Sequence, residues 1–299
     1  MTRFVHEGKT FPVLTLIAAI IAFWYVMVVV MNAPFERDKA ERAGQPAPGF
    51  SQLISTTMAQ ERPVLPAPHQ VGQEIWKTTV GMVQRGRPFS KRSLIYHAWV
   101  TLSVTLLGFL IGTALGIALA VGIVHNRAMD KSVMPWVITS QTIPILAVAP
   151  MIIVVLNAMG IQGVLPKALI STYLSFFPVV VGMVKGLRAP DQAQLDLMHT
   201  YNASHSQTFW KLRWPASMPY LFTSLKIAVA ISLVGAIVGE MPTGAVAGLG
   251  ARLLAGSYYG QTVQIWSALF VAAALAAVLV ALVGVAHSYV LKRMGEKPA

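Results

Sequence analysis

The chain has 299 residues, 55% of them apolar and 11% charged, with a mean hydropathy of +0.62. Soluble domains hold about 45–50% apolar residues even with glycine counted, so composition favours an integral membrane protein. A net charge of +12 would suggest a nucleic-acid partner in a soluble chain, but here the basic residues flank apolar runs, as lipid head groups and insertion topology select; the lack of cysteine excludes disulfides, thiolate metal sites and a cysteine nucleophile.

Six runs reach the ~20 apolar residues that a membrane helix needs: 11–31, 98–124, 134–156, 165–184, 218–238 and 263–291. The fold class expected is therefore an all-α integral membrane protein with six transmembrane helices. The first run is too long for a signal-peptide core, and no A-x-A-like site follows at Val30-Met31-Asn32, so residues 1–32 read as an uncleaved anchor.

Lys and Arg in the short loops set the orientation. With the N-terminus inside, the inner side holds Arg3, Lys9, Arg127, Lys131, Lys185, Arg188, Lys211, Arg213, Lys292, Arg293 and Lys297, eleven against Lys167 and Arg252 outside. Residues 33–95 then lie outside with nine Lys/Arg, including Arg85, Arg87, Lys91 and Arg92; long segments count little in this rule, and N-in, C-in follows. Within that segment 33–62 is polar, mixed in charge and expected to be partly irregular. Val71, Ile75, Trp76, Val80, Met82 and Val83 then suggest an amphipathic helix, lying on the outer membrane face or packed against the other helices.

Pro144 and Pro150 interrupt the third run and Pro178 the fourth. Proline removes a backbone donor, and the freed carbonyls need protein or a water-lined cavity to satisfy them. Thr139, Ser140, Gln141, Thr142, Ser171, Thr172 and Ser175 sit near these breaks, either as interhelical hydrogen bonds or as the lining of a path. The candidate path residues are Gln141, Thr142, Ser175 and Phe176, with Glu240 at the outer gate of the fifth run. The glycine-rich stretch 239–250 reads as an irregular turn closing that outer end.

Ionisable groups within the spans are few. Lys226 can snorkel, His97 and His287 lie near span ends, and no proton relay is evident, which tells against a proton- or sodium-driven carrier. Gly8-Lys9-Thr10 lacks the first P-loop glycine and a preceding strand, so it does not cradle phosphate. His199 and His205 have no third ligand for zinc.

The cytoplasmic loop 185–217 is patterned for helix. Pro190 and Asp191 suit a first turn, Leu195, Leu197, Met198 and Tyr201 follow, and Asn202 can adopt the left-handed conformation that ends a helix. Ser204 and Gln207 form a capping box opening a second helix with Phe209, Trp210, Leu212 and Trp214, which Pro215 is expected to stop. A mere connector needs neither capping nor apolar residues. Such helices must bury themselves on something, and a cytoplasmic partner is an obvious candidate.

At this stretch the chain resembles the permease subunits of ATP-binding-cassette importers of the type I fold. Their signature is E-A-A, three residues, G, nine residues, I-x-L-P. Set on Pro215, it places Asp196-Leu197-Met198 on E-A-A, Asn202 on the glycine, Leu212 on the isoleucine and Trp214-Pro215 on L-P; Leu197-Met198 departs from the alanine pair. Leu65-Pro66-Ala67-Pro68 with Val71, Ile143-Pro144 with Ala147 and Pro150, and Glu240 followed by Gly248-Leu249-Gly250 are similar to the nitrate/sulfonate/taurine/pyrimidine-type branch. The resemblance covers residues 64–290 and leaves out 36–62 and the basic insertion 85–92.

The resemblance implies that the chain does no chemistry. A cytoplasmic P-loop ATPase dimer holding ATP and Mg would dock on Asp196, Leu197, Met198, Asn202, Ala203, Ser204, Trp210, Leu212 and Pro215. A second permease copy would complete the pathway, and an extracytoplasmic binding protein would deliver a small polar solute such as a sulfonate, taurine, nitrate or a pyrimidine. The expected organisation is an anchor (1–32), an extracytoplasmic segment (33–95), a five-helix permease core (96–291) with its coupling loop (185–217), and a cytoplasmic tail (292–299), in the bacterial inner membrane. No cofactor or metal is expected in the chain. The alternative, a self-powered carrier or channel, predicts transport by this chain alone.

Overall fold

The computed structural model describes residues 10–242 and 247–295; Arg3, Gly8, Lys9, Gly244 and Lys297, used above, lie outside them. Every regular element among the described residues is helical. In chain order they are α1 (Thr10–Arg42), α2 (Phe50–Met58), α3 (Pro68–Thr78), α4 (Val80–Gln84), α5 (Leu94–His125), α6 (Arg127–Ser140), α7 (Ile145–Ala158), α8 (Val164–Leu187), α9 (Gln192–Thr200), α10 (His205–Thr208), a π-helical turn (Phe209–Arg213), α11 (Trp214–Glu240), α12 (Leu249–Tyr258) and α13 (Thr262–Arg293). Five continuous stretches are long and apolar enough to cross a membrane: Phe11–Arg42, Leu94–His125, Val164–Leu187, His205–Glu240 and Thr262–Arg293.

The third expected span is not one helix. α6 and α7 meet at 99°, making a sixth crossing only if the bent pair is counted as one. Pro144 has no N–H to donate and disfavours helix at the residue before it. Two of the hydroxyls predicted near this break, and one that was not, bond its carbonyls: Ser140 donates to Val137 O (2.7 Å), Thr142 to Thr139 O (2.8 Å), and the unforeseen Tyr173 of α8 to Ser140 O. Pro178, by contrast, lies inside an unbroken α8.

The contacts divide the chain into two compact units, one made of residues up to Leu94 with Arg252–Phe270 and one made of Ile95–Ala251 with the residues from Val271 onward. In the first unit, α1 runs on through Pro34 to Arg42 and α2 follows, so 33–62 is part helix and part irregular chain, as expected. Side chains of α1 lash the segment after α2. Asn32, fully buried, donates to Leu65 O (2.9 Å) and accepts from Val64 N (2.8 Å), while Trp24 Nε1 donates to Pro66 O (3.0 Å). Gln60 links the two runs, donating to the buried Glu36 carboxylate and accepting from Gln70 at its backbone oxygen. α3 turns Val71 and Thr78 inward and leaves Trp76 exposed. Arg252, expected in a loop, sits on α12; burial pulls its guanidinium below the ordinary range, and the nearby Glu74 charge opposes that.

The second unit is built on small residues. Gly108, Gly112 and Gly116 of α5 face Ser171, Ser175 and Val179 of α8, both series spaced by four. Gly182 and Gly186 of α8 face Ser224 and Ser217 of α11, and Gly235 of α11 faces Ser171. In lipid, apolar burial does not drive helices together, so close backbone approach and interhelical hydrogen bonds must. Ser171 donates to Ser232 O (2.8 Å), Ser232 to Thr105 O (2.9 Å) and Thr172 to Gly108 O (3.2 Å). Ser175 was expected along a path; instead it is fully buried and donates to Gly108 O (3.3 Å). For these hydroxyls the interhelical reading holds. The apolar core of this unit centres on Val179, Val180, Met183 and Leu187 with Ala120, Ile123 and Ala228.

Candidate functional site

Two parts of the second unit hold the residues picked from sequence. In the loop 185–217, Asp191 is the N-cap of α9, so Pro190, expected in the first turn, lies before the helix. Its carboxylate accepts from Gln194 N (2.8 Å), and Gln194 Oε1 accepts from Asp191 N (3.1 Å), completing a box the sequence reading missed. Gln192 Nε2 bonds Asp196 Oδ1 one turn on (2.8 Å).

Asn202 has φ of 50°, the left-handed conformation predicted for it. Around it Ala203 N donates to Met198 O (2.9 Å) and Asn202 N to His199 O (2.8 Å), the paired bonds of a Schellman motif with asparagine in the glycine place. The Ser204–Gln207 box forms as expected, with Ser204 N donating to Gln207 Oε1 (2.8 Å) and Gln207 N to Ser204 Oγ (3.3 Å). The bend is thus held from both sides by short-range bonds.

Pro215 does not stop the second helix. α10, the π turn and α11 run on as one body, His205–Glu240. Proline at 215 cannot donate to the carbonyl four residues back. The ladder re-registers just before it, where Trp214 N reaches Phe209 O in an i→i−5 bond. Leu212 lies half-buried on that turn and Pro215 opens α11. The outward side chains are Leu197 (55% exposed), Tyr201 and Trp210 (59%), while Leu195 and Met198 turn in. Trp210 stands in an aromatic group with Phe209 (4.9 Å between centroids) and Trp214 (5.4 Å), and His125 at the end of α5 meets Phe209 edge-on (5.2 Å). A cavity of about 810 Å³ opens between α9, the bend and the end of α5, lined among others by Leu195, Asn202, Ser204 and His125. Arg213 Nη1 donates to Leu187 O (3.1 Å), and Arg188 pairs with Asp130 of α6 (2.9 Å), fastening the loop's base to its helices.

Glu240 closes the other end of α11. It is fully buried; its carboxylate accepts from Thr101 Oγ1 (2.9 Å) and from Gly250 N (2.8 Å). Thr101 Oγ1 accepts from Leu249 N (2.8 Å), and His97 Nδ1 accepts from Gly248 N (3.0 Å). The first turn of α12, a helix that begins at the end of the expected irregular turn, therefore finds its acceptors on α5 and α11. Gly248, at φ of 119°, packs against the carboxylate where any Cβ would collide with it. The remainder of that turn, 243–246, lies outside the described residues.

Gln141, Thr142 and Phe176 stand at the α6–α7 break and the facing part of α8. Thr142 is exposed, Gln141 half-exposed with its Nε2 on Ser140 Oγ (3.3 Å), and Phe176 lies near Tyr173 (6.3 Å). His199 and His205 belong to no group of potential metal ligands among the described residues. Sequence reading also overlooked Thr101 and the partner of His97, for which no local pattern exists, and the G-x-x-x-G-x-x-x-G run at 108–116, which was legible.

Residues 112–296 match the family described as the binding-protein-dependent transport system inner membrane component. The chain belongs to this family. It is the permease subunit of an ATP-binding-cassette importer, a multi-pass protein of the bacterial inner membrane. Its relatives include a probable ABC transporter permease protein of Haemophilus influenzae, 29% identical across 74% of this chain and 83% of that protein. The formylaminopyrimidine transport permease of Halalkalibacterium halodurans is 30% identical across 66% of this permease and 72% of its own length. A nitrate import permease of Leptolyngbya laminosa is 26% identical across 75% and 78%.

Proposed function

We propose that this permease carries a small polar solute, of the size of a sulfonate, nitrate or a pyrimidine, handed over by an extracytoplasmic binding protein and driven by a cytoplasmic P-loop ATPase dimer. Relatives named for formylaminopyrimidine, nitrate and aliphatic sulfonates motivate the substrate class. The observation that carries the mechanism is the continuity of His205–Glu240. The ATPase grips the exposed face of Asp196, Leu197, Tyr201 and Trp210 across the Asn202 bend. Because no break separates that bend from α11, a displacement of the loop moves α11 as a lever. α8 follows through its glycine–serine contacts, and the buried cap at Glu240 shifts with the far end. ATP and Mg stay on the partner. ATP-driven closure of the ATPase dimer favours one of two permease states and hydrolysis releases it.

In this reading the N- and C-termini are cytoplasmic. Residues 1–32 anchor the chain, 33–95 form an extracytoplasmic segment, 96–291 form the core with its coupling loop 185–217, and 292–299 are a tail. A second copy of the chain completes the pathway, which Gln141, Thr142 and Phe176 line. Glu240 sets the outer end by holding α12 in place, not by presenting its charge to solute.

The test is affinity purification of the chain from native membranes beside a variant with Asp196→Ala and Trp210→Ala. The expected result is a P-loop ATPase bound to the normal chain and lost from an equally abundant variant. Solute uptake by the purified chain alone, with no ATPase in either sample, would sink the proposal.

A further inference from the structure

α11 and α13 leave a groove of about 560 Å³ between them, away from both parts of the site above. Gly284 and Val285 form its apolar floor, Ser288, Tyr289 and Lys292 line its upper part, and Lys226 of α11 lies across it. A Cβ at 284 would meet Lys226 Cε at 3.7 Å, an ordinary contact, so the stem of this lysine lies close to α13 at Gly284. From Gly284 to Lys292 the groove climbs α13 by about 12 Å, at ~1.5 Å per residue.

Among the described residues that line this groove there is no carboxylate to face either lysine. Lys226 is the more telling, because it stands roughly three turns into a membrane helix, next to the exposed Ile227. An ammonium there is costly unless it reaches the interface or meets an anion. Arg293, stacked over Tyr289 at 4.8 Å, adds a third cation at the upper end. The groove thus combines cations, Lys226 at the level of Gly284 and Lys292 two turns further along α13, with the apolar surface of Gly284 and Val285.

We propose that this groove binds one anionic phospholipid, its phosphate held by Lys226 and Lys292 and an acyl chain laid along Gly284 and Val285. A free phosphate or nucleotide would use the cations but place nothing on the apolar floor. The site therefore commits to a lipid, and it does not depend on which solute is carried.

The intact chain, purified with the subunits it retains, would be placed in nanodiscs and titrated with phosphatidylglycerol, with phosphatidylcholine and free glycerol phosphate as comparison probes, and bound lipid read by native mass spectrometry. One phosphatidylglycerol per chain should be retained over phosphatidylcholine, weakened about fivefold by Lys226→Gln and again by Lys292→Gln, with Lys131→Gln without effect. Gly284→Leu, which fills the floor and leaves the charges, should also displace the lipid; it keeps the test decisive if Lys226→Gln folds poorly. Equal retention of phosphatidylcholine, indifference to all three groove substitutions, or equally tight binding of free glycerol phosphate would each overturn the proposal.

Discussion

The two ends of α11 solve the same problem in opposite ways. At the Asn202 bend, polar groups are satisfied within three or four residues of themselves: Asp191 with Gln194, Gln192 with Asp196, Ser204 with Gln207. At the far end the partners are remote in sequence, as in Thr101 with Glu240 and His97 with Gly248, separated by 139 and 151 residues. The bend can therefore keep its shape while its apolar face stays exposed for a partner. The far end exists only when α5, α11 and α12 are assembled. One is a self-folding handle, the other a joint.

Breaking the joint should have the largest consequence. Glu240→Ala leaves Gly250 N and Thr101 Oγ1 without their acceptor, at a cost of about 3 kcal/mol for buried groups that lose a charged or strongly polar partner. Thermal unfolding of the purified complex should fall sharply and uptake should vanish. An unchanged melting temperature would mean the cap is incidental.

The handle should behave differently. Asp196→Ala with Trp210→Ala removes exposed side chains, so unfolding should barely move while ATPase retention falls at least about tenfold, the scale of losing a hot-spot aromatic. Destabilisation comparable to Glu240→Ala would erase the contrast between the ends. Asn202→Ala forces an alanine into φ of 50° at about 1 kcal/mol, whereas Asn202→Gly fits without strain. Uptake should drop severalfold for alanine and stay near normal for glycine; equal loss in both would point to the amide side chain instead of the bend. Ser204→Ala should have the smallest effect, roughly 1 kcal/mol or less of local helix stability, read as faster amide exchange over His205–Thr208 with uptake mostly kept.

One sequence expectation failed where proline was read as a stop. Pro215 is absorbed into a longer helix by a π turn that shifts the hydrogen-bond register ahead of it, and Pro34 likewise lies inside α1. Pro144 did break its span, because the hydroxyls of Ser140, Thr142 and Tyr173 were at hand to take the released carbonyls. A proline states which donor is missing; its surroundings decide whether the helix bends, shifts or ends.

From the sequence alone came the membrane class, most of the spans, the Asn202 bend, the Ser204 cap and the family signature. These depend on apolar run length, backbone preference and bonds between near neighbours, all of which a linear chain displays. Only the tertiary structure showed that Ser175 is buried against Gly108 O, that Glu240 accepts from the first turn of α12, that His205–Glu240 runs on as one helical body, and that Lys226 and Lys292 share a groove. Each of these rests on groups brought together from different helices, where the glycines at 108, 112 and 116 let backbones approach closely enough for small polar side chains to meet.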